Sequence, residues 1–272
     1  MHLLSHHLMM HISNFAVRPG KLFVGTDMNL TILVGTKKRP QDACVVFSTD
    51  YNRWSEESRE FLFSTLNYSP TTFASSRGAY PKLGTRTAFA IHEKIAQYGS
   101  FTRFIAKTNS VSVYYHSGGR YFRKCLRKKL SNEYKELKVA KGVEDVAICL
   151  LSSSFYYWLW IALSDCYHVM KGDIDMLPVP DSLLADPQVK ELAARLLTDL
   201  EKHAQVRIRK RADNSQTEEI NYYVGKSKPI IDEIDRMLAR HYGFTDEELD
   251  FIINYDIKYR MGHVNGEECV EQ

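Results

Sequence analysis

The feature that most restricts the fold is the run Val146–Leu163, which contains no charged residue over eighteen positions. Its length reaches the lower limit for a membrane-spanning helix, roughly 17 residues. Three serines (152–154) lie near its middle, acidic Asp145 and Asp165 flank it, and the basic flanks and interfacial aromatic belts of spanning helices are missing. The run therefore predicts a buried helix at the centre of a globular core.

Composition agrees with a globular chain. The 272 residues (31.4 kDa) are 44% hydrophobic and 25% charged, so the chain can bury a core as one large or two modest domains. The net charge of +3 hides a strong asymmetry. Residues 103–141 hold eleven Lys and Arg against Glu133 and Glu136, while residues 232–256 hold eight acids against two arginines. This asymmetry indicates one surface for a polyanion and another for protein or solvent.

The basic segment 103–141 is also aromatic. Short alternating runs predict strands around a turn at residues 117–119, and the aromatic side chains lie among the cations: Tyr114, Tyr115, Tyr121, Phe122 and Tyr134. Cations bind phosphates and aromatic faces stack on bases, so the pattern suits nucleic acid. The same composition suits a solvated basic sheet face, and at this point both interpretations stay open.

Cysteine and histidine usage predicts reduced thiols and no metal site. The five cysteines are scattered and form no Cys-x-x-Cys or Cys/His cluster, which is typical of a cytoplasmic protein. His7 and His11 could share a helix face, but zinc requires more ligands than one such pair. The N-terminal residues lack the basic region and cleavage site of a signal peptide.

Two strands are predicted early in the chain. Leu30–Gly35 and Cys44–Thr49 are almost continuously apolar, as in strands that are buried on both faces of an α/β sheet. Residues 51–86 show no sustained period and predict a connection between domains. Thr87–Tyr98 predicts a short helix that ends at Gly99.

Three helices are predicted towards the C-terminus. Residues 188–206 carry leucines at helical spacing, and the basic run Arg207–Arg211 forms the far end of this element. Lys228–Tyr242 begins around Pro229 and stops at Gly243. The last helix starts at Thr245, where Glu248 completes a capping box.

The motifs of a self-contained enzyme are absent from the sequence. It contains no Gly-x-Gly for a dinucleotide or S-adenosylmethionine turn, no Pro-Pro, no Gly-x-Ser-x-Gly, no phosphate-binding loop and no His-Glu-x-x-His. Glu133-x-Lys135 and Glu136-x-Lys138 match only the end of a nuclease-like motif. We therefore predict no catalytic residues, no metal ligands and no cofactor bound by this chain alone.

Three stretches together resemble one protein family. ISNFAVRPGKLFVGTDMNLTILVG (residues 12–35) is similar to the segment after the catalytic tetrad of adenine-specific DNA methyltransferases of type IIG restriction–modification systems. LSSSFYYWLWIALSDCYHVMKGDIDMLPVP (residues 151–180) resembles the end of their target-recognition domain, and residues 227–262 resemble their C-terminus. In the first stretch the matching positions are Arg18, Pro19, Lys21, Leu22, Phe23 and Gly25.

The same resemblance implies a missing catalytic half. In the family, the S-adenosylmethionine-binding glycine motif and the Asn-Pro-Pro-Tyr tetrad lie upstream of the first matching stretch. We therefore expect a C-terminal portion of such an enzyme: a split subunit, a truncated gene or a late start. Double-stranded DNA and a separate catalytic chain are the expected partners, and S-adenosylmethionine is implied for the complete enzyme.

For the basic segment, the resemblance implies target recognition, in which base edges are read while the adenine is flipped out of the duplex. We expect cationic residues to contact phosphates, some arginines to read guanine, and tyrosines to stack on bases, although at strand spacing at least one tyrosine should be core. The candidate DNA-binding residues are Arg103, Lys107, Tyr114, Tyr115, Arg120, Tyr121, Arg123, Lys124, Arg127, Lys128 and Lys129.

The predicted fold is α+β. It consists of the remnant of an α/β methyltransferase sheet (residues 1–50), a connection (51–86), a mixed α+β target-recognition domain (87–185) and a helical C-terminal region (186–272). Two other functions remain open: a stand-alone DNA-binding specificity module, and an inert fragment or interaction protein whose acidic C-terminal helices form the interface.

Overall fold

The fold is mixed α+β and divides into two compact units. A computed structural model describes residues 7–37, 45–72, 79–118, 124–210 and 216–260. The first unit comprises Met1–Glu93 and Leu159–Cys166, and the second comprises Lys94–Trp158 and Tyr167–Gln272.

The first unit contains a four-stranded sheet. Its strands are β1 (His7–Phe15), β2 (Leu30–Lys37), β3 (Val45–Asn52) and β4 (Ser69–Thr71), in the order β2-β1-β3-β4. β1 runs antiparallel to β2 and parallel to β3, and β4 runs antiparallel to β3. Residues 51–86, predicted to be a connection, contribute β4 and a 3-10 helix (Glu56–Phe61) to this unit, and α1 (Arg86–Ile95) follows.

Apolar side chains pack on both faces of this sheet. Met10, Ile12 and Val46 form one cluster, and Phe15, Trp54 and Leu62 form another. The β1–β3 register shifts between Ile12 and Asn14, and polar side chains replace ladder bonds there. The backbone nitrogen of Asn14 donates to Thr49 Oγ1 at 3.0 Å, and Asn52 Nδ2 donates to the carbonyl of Asn14 at 2.9 Å.

The prediction that both early strands are buried on both faces is wrong for β2. The strand forms where it was expected, but Thr31 and every residue from Leu33 to Lys37 are exposed. β2 ends the sheet, so among the described residues only β1 covers one of its edges. β3, between two strands, buries Val46, Ser48, Thr49 and Tyr51. Cys44 lies outside the described residues.

The second unit contains a three-stranded antiparallel sheet in the order β6-β5-β7. β5 is Ser110–His116, β6 is Cys125–Leu126 and β7 is Tyr134–Ala140. The predicted strands around the turn at 117–119 are therefore present, and the sheet is followed by α2 (Glu144–Ser152) and α3 (Ser154–Leu163).

α2 and α3 form from the uncharged run, which is buried as predicted but is broken at Ser153. Ser153 adopts an extended backbone conformation, and its hydroxyl oxygen accepts a hydrogen bond from the Tyr156 nitrogen at 3.0 Å. The serine therefore caps α3 and turns the chain. No single helix within the described ranges is long and apolar enough to cross a membrane; α2 and α3 reach that length only as a pair bent by 68°.

The rest of the second unit is mainly helical. Its helices are α4 (Lys171–Asp175), α5 (Pro187–Lys202), α6 (Lys228–Tyr242), α7 (Asp246–Asn254) and α8 (Ile257–Arg260). Gly243 ends α6 with φ of 71°, and Thr245 and Glu248 form the predicted capping box of α7. Both local predictions are confirmed.

One element was not expected. α5 ends at Lys202, and the chain continues as a hairpin of β8 (Ala204–Lys210) and β9 (Gln216–Tyr222). The prediction that residues up to 206 are helical and that the following basic run extends the helix is wrong. β-branched Val206 and Ile208 alternate with arginines, which favours a strand. Arg211 lies outside the described residues.

A buried carboxylate joins α6 to the start of α3. Asp235 Oδ2 accepts from the Ser154 nitrogen at 3.2 Å and Oδ1 accepts from the Phe155 nitrogen at 3.1 Å. Arg260 Nη2 donates to Ser154 Oγ at 2.8 Å, and its guanidinium lies 4.8 Å from the centre of the Tyr157 ring. Burial raises the pKa of Asp235, although these hydrogen bonds and the charge of Arg260 act in the opposite direction and lower it. The first turn of α3 is thus fixed by side chains distant in sequence.

Candidate nucleic-acid interface

The register of the β6-β5-β7 sheet sorts its side chains onto two faces. Val111, Val113 and Tyr115 of β5 lie opposite Val139, Leu137 and Lys135 of β7, and this face is mainly buried. Ser110, Ser112 and Tyr114 lie opposite Ala140, Lys138 and Glu136 on the other face, which we call the open face. Ser112 Oγ donates to Glu136 Oε1 at 2.6 Å across it. At the end of β5 this face is closed, because His116 and Tyr134, which lie opposite each other there, are both buried.

The two candidate tyrosines of β5 therefore differ in access. Tyr114 is half-buried on the open face, opposite Glu136 on β7 and Leu126 on β6. Tyr115 is only 6% exposed on the inner face. Burial raises the pKa of Tyr115, and the carboxylates of Asp173 and Asp175 add to the shift. Tyr114 is thus the one of the two that a base can reach, and Tyr115 packs in the core.

Exposed lysines lie on the open face and next to the strands of this sheet in the sequence. Lys107 precedes β5 and Lys129 follows β6, and neither forms an ion pair with any residue that the structure describes. Lys138, on the open face itself, and Lys141, just after β7, are also exposed. Only the first two were candidates, because the sequence shows where lysines lie but not which of them share a face with Tyr114.

Two further candidates lie in ion pairs. Arg127 Nη2 is 2.5 Å from Asp145 Oδ1, and Lys128 Nζ is 2.7 Å from Glu201 Oε1. The hydrogen bond from Lys128 lowers the pKa of Glu201, with burial opposing it and Tyr222 assisting. The Lys128–Glu201 pair is exposed on both sides, and such pairs stabilise a fold by about 0–1 kcal/mol, so a phosphate can replace Glu201 at little cost. Asp145 is partly buried, and burial raises its pKa although the charge of Arg127 lowers it.

Arg103 is exposed but is held by contacts within the chain, and Lys124 is buried. Arg103 Nη1 lies 2.8 Å from Asp181 Oδ1, Nη2 donates to the Val179 carbonyl, and the guanidinium lies 4.6 Å from the centre of the Phe104 ring. Lys124 is 7% exposed, and its carbonyl accepts from the His116 nitrogen at 2.9 Å. The remaining candidates lie outside the described residues: Arg120, Tyr121 and Arg123.

The nuclease-like spacing does not assemble a carboxylate site. Lys135 Nζ donates to the Asn132 carbonyl at 2.9 Å, while Glu133 Oε2 lies 3.2 Å from His116 Nε2. Within the described part of the chain, no group of three His, Cys, Asp or Glu residues could hold a metal ion. The described cysteines, Cys125, Cys149 and Cys166, are free and buried, and burial raises the pKa of each thiol.

The first family-like stretch forms β1, a loop and β2. The Gly20 nitrogen donates to the Trp54 carbonyl at 2.8 Å, and a Cβ at Gly20 would come within 2.8 Å of the Trp54 ring. Arg59 Nη2 donates to the Lys21 carbonyl at 3.0 Å. The loop backbone is therefore fixed, whereas Phe23, Val24 and Met28 remain exposed along it.

Comparison with known proteins gives no further guidance: no family model, no curated protein and no solved structure matches the chain.

Proposed function

We propose that this chain is the DNA-recognition part of an S-adenosylmethionine-dependent, adenine-N6 DNA methyltransferase of a type IIG restriction–modification system, and that it acts with a separate catalytic chain. The observation that carries the proposal is the open face of the β6-β5-β7 sheet. A half-buried tyrosine, Tyr114, lies on that face together with Lys138, and Lys107, Lys129 and Lys141 are exposed next to the ends of its strands in the sequence. The resemblance of three stretches to that family supplies the reaction.

The proposed division of labour follows from the chemistry of the side chains. Lys107, Lys129 and Lys138 bind phosphates, because each ammonium releases a counterion from the duplex when it pairs with a phosphate. Tyr114 presents an aromatic ring that stacks on bases whatever their sequence, and a hydroxyl group whose directional hydrogen bond to a base edge contributes to selection of the site. Lys128 exchanges Glu201 for a phosphate when DNA is bound.

S-adenosylmethionine supplies the methyl group in such enzymes, and the residues described here do not fit it. Glycines that approach other groups closely in the first unit serve internal packing: Gly20 lies against the Trp54 ring, and a Cβ at Gly84 would meet the backbone nitrogen of Asp50 at 2.3 Å. Neither place leaves room for a nucleoside. We therefore assign cofactor binding and methyl transfer to the catalytic chain.

The salt dependence of DNA binding tests the proposed role of the lysines. We expect Lys107→Ala, Lys129→Ala and Lys138→Ala, combined in the full chain, to weaken binding to a duplex. The slope of log K against log salt should fall by about 0.9 for each phosphate that is no longer neutralised. The matched control combines Lys202→Ala, Lys226→Ala and Lys258→Ala, three exposed lysines of the same unit outside this sheet. Equal slopes for the two triple variants would reject the proposed surface.

A substitution of Tyr114 tests sequence recognition separately from the electrostatic part of DNA binding. We expect Tyr114→Leu, which keeps an apolar side chain on the open face, to reduce the affinity ratio between a recognised and a scrambled duplex. The salt slope should stay unchanged, because the substitution removes no cation. The ratio is measured by competition binding at constant salt, and a ratio equal to that of the unchanged protein contradicts the role of Tyr114.

A further inference from the structure

One acidic side chain lies on the open face. Among the described strand residues that the register places there, Glu136 is the only acid. It is exposed, lies opposite Tyr114 and precedes Lys138 by two residues on β7. A carboxylate repels the phosphates that a lysine attracts, so Glu136 weakens the electrostatic part of DNA binding. Binding of the DNA backbone therefore does not account for a carboxylate in this place.

Glu136 is held by a hydrogen bond from the neighbouring strand. Ser112 Oγ donates to Glu136 Oε1 at 2.6 Å. Among the residues that the structure describes, none forms an ion pair with Glu136. An ionised carboxylate has about four lone-pair positions and donates no hydrogen bond. The bond from Ser112 uses one position and fixes the group, so Oε2 is oriented and able to accept from a ligand.

The base edges in the major groove of DNA differ in what they offer to a carboxylate. This groove admits a two-stranded β-ribbon such as the antiparallel pair of β5 and β7. Guanine presents two acceptors there, and thymine presents an acceptor and a methyl group. The adenine N6 donor lies between two acceptors, its own N7 and thymine O4, whereas the cytosine N4 donor has an acceptor, guanine O6, on one side only. Because a carboxylate only accepts, cytosine is the base that it bonds with the least repulsion.

We infer that Glu136 is a specificity-determining residue, which accepts a hydrogen bond from the N4 amino group of a cytosine in the recognised site, and that Ser112 positions its carboxylate. This inference rests on the proposed function and names one base of the DNA site that the open face selects. The carboxylate lowers affinity for DNA in general and lowers it least where cytosine is present. Discrimination of this kind combines an attractive contact with the right base and repulsion from the wrong ones.

The test selects binding sites from a randomised duplex library with the full chain. Glu136→Gln keeps the shape of the side chain and removes its charge, and a glutamine amide pairs with adenine through N6 and N7. The matched control is Glu218→Gln, because Glu218 is also an exposed strand glutamate of the second unit but lies on β9, outside this sheet. Ser112→Ala keeps the carboxylate and removes the hydrogen bond that orients it. Circular dichroism verifies that each variant is folded.

We expect the unchanged chain and Glu218→Gln to select the same site, with cytosine at one position that depends on Glu136. At that position alone, Glu136→Gln should select adenine, with a change of about tenfold in the ratio of affinities for the two duplexes. Ser112→Ala should weaken the preference for cytosine without creating one for adenine. Ratios at constant salt are compared, because the loss of a negative charge raises affinity for every duplex.

Inosine in place of the guanine that pairs with this cytosine identifies the groove. Inosine lacks the N2 amino group, which guanine presents in the minor groove, and leaves the major-groove edge unchanged. The preference that depends on Glu136 should therefore persist. Its loss would place the contact in the minor groove and overturn the assignment to cytosine N4.

Failure of this inference is distinguishable from failure of the proposed function. If the unchanged chain selects a site and Glu136→Gln selects the same site, Glu136 reads no base, and the proposed recognition surface stands without it. A uniform rise in affinity for all duplexes in Glu136→Gln leads to the same conclusion, since it reports only the lost charge. If the unchanged chain selects no sequence at all, the proposed function and the inference are rejected together.

Discussion

At the scale of single residues, a chain of hydrogen bonds joins the start of α5 to the end of α6. Asp186 caps α5 by accepting from the Gln188 nitrogen at 2.8 Å, and its other oxygen lies 2.7 Å from His241 Nε2. His241 Nδ1 in turn lies 2.7 Å from Ser182 Oγ. Burial opposes ionisation of Asp186, but the bonds from His241 and Gln188 together hold the pKa of Asp186 below its usual value.

The lowered pKa gives a pH-dependent prediction. A carboxyl group whose folded pKa lies below its unfolded value of 3.8 stabilises the fold above pH 3.8, and this contribution is lost as the pH falls through the folded pKa. Asp186→Asn keeps the helix cap but removes the charge that faces His241, so we expect a destabilisation of about 1 kcal/mol at pH 7. Urea unfolding should show the difference from the unchanged protein shrinking below pH 3.8.

Asp186→Ala serves as the comparison, because it removes the cap as well as the charge. Its additional destabilisation, about 1 kcal/mol, should persist at low pH, since the cap bond to Gln188 does not depend on the charge. A constant difference between Asp186→Asn and the unchanged protein at all pH values would show that ionisation of Asp186 does not stabilise the fold.

Local signals identified some residues from the sequence and missed others for a physical reason. Gly243 and Thr245 were predicted correctly, because a helix cap depends on residues within one turn. The sequence did not show that Tyr115 and Lys124 are buried. Their burial depends on which face of β5 packs inward and on which segments pair with β5. Neighbours in sequence such as Tyr114 and Tyr115 receive opposite environments from strand geometry alone.

At the scale of secondary-structure elements, Ser153 decides how the uncharged run folds. Its hydroxyl donates to the Leu150 carbonyl at 2.6 Å and accepts from the Tyr156 nitrogen, so one side chain serves the end of α2 and the start of α3. The site is 1% exposed, and no water can replace these bonds without a cavity. The break is therefore built into the sequence and is not a distortion of one long helix.

We expect Ser153→Ala to lower the free energy of unfolding by about 1–2 kcal/mol, the usual cost of removing a helix cap at a buried place. The matched control is Ser64→Ala, because Ser64 Oγ also donates to a carbonyl three residues earlier, that of Phe61, but is exposed. Its cost should stay within about 0.5 kcal/mol. Chemical denaturation of both variants measures the difference, and equal costs would show that the cap does not stabilise the bend.

The β8–β9 hairpin was missed because hydrophobic periodicity does not distinguish a helix from a strand over a short run of residues. Leucines at helical spacing end at Leu200, but Val206 and Ile208 continue an apolar pattern that fits both a helix and a strand over so few residues. The strand is selected by pairing with β9, which continues in register from Ala204–Tyr222 to Lys210–Gln216. Periodicity within a short stretch of sequence does not reveal which other segment a strand pairs with.

At the scale of the whole molecule, the proposed recognition surface belongs to one of the two units. The second unit presents the open face around Tyr114. The mixed α+β fold and the positions of most elements could be predicted from the sequence. The division of α3 between the two units could not be predicted from the sequence. Its residues from Leu159 onward belong to the first unit, whereas those up to Trp158 belong to the second.

Methyl transfer measures recognition and catalysis together. We expect transfer of labelled methyl from S-adenosylmethionine to duplex DNA only when this chain is combined with the proposed catalytic chain, the product of a neighbouring gene that encodes Gly-x-Gly and Asn-Pro-Pro-Tyr. Cofactor binding is assigned to that chain, and duplex binding is assigned to this one. The Lys107, Lys129 and Lys138 triple variant should raise KM for DNA and leave kcat nearly unchanged, because phosphate binding acts in the ground state and the transition state alike.

A catalytic chain with Asn→Ala in its Asn-Pro-Pro-Tyr tetrad is the inactive control. Activity of this chain alone would contradict the division into two chains, and inactivity of the pair with salt-dependent DNA binding retained would instead favour a stand-alone recognition module.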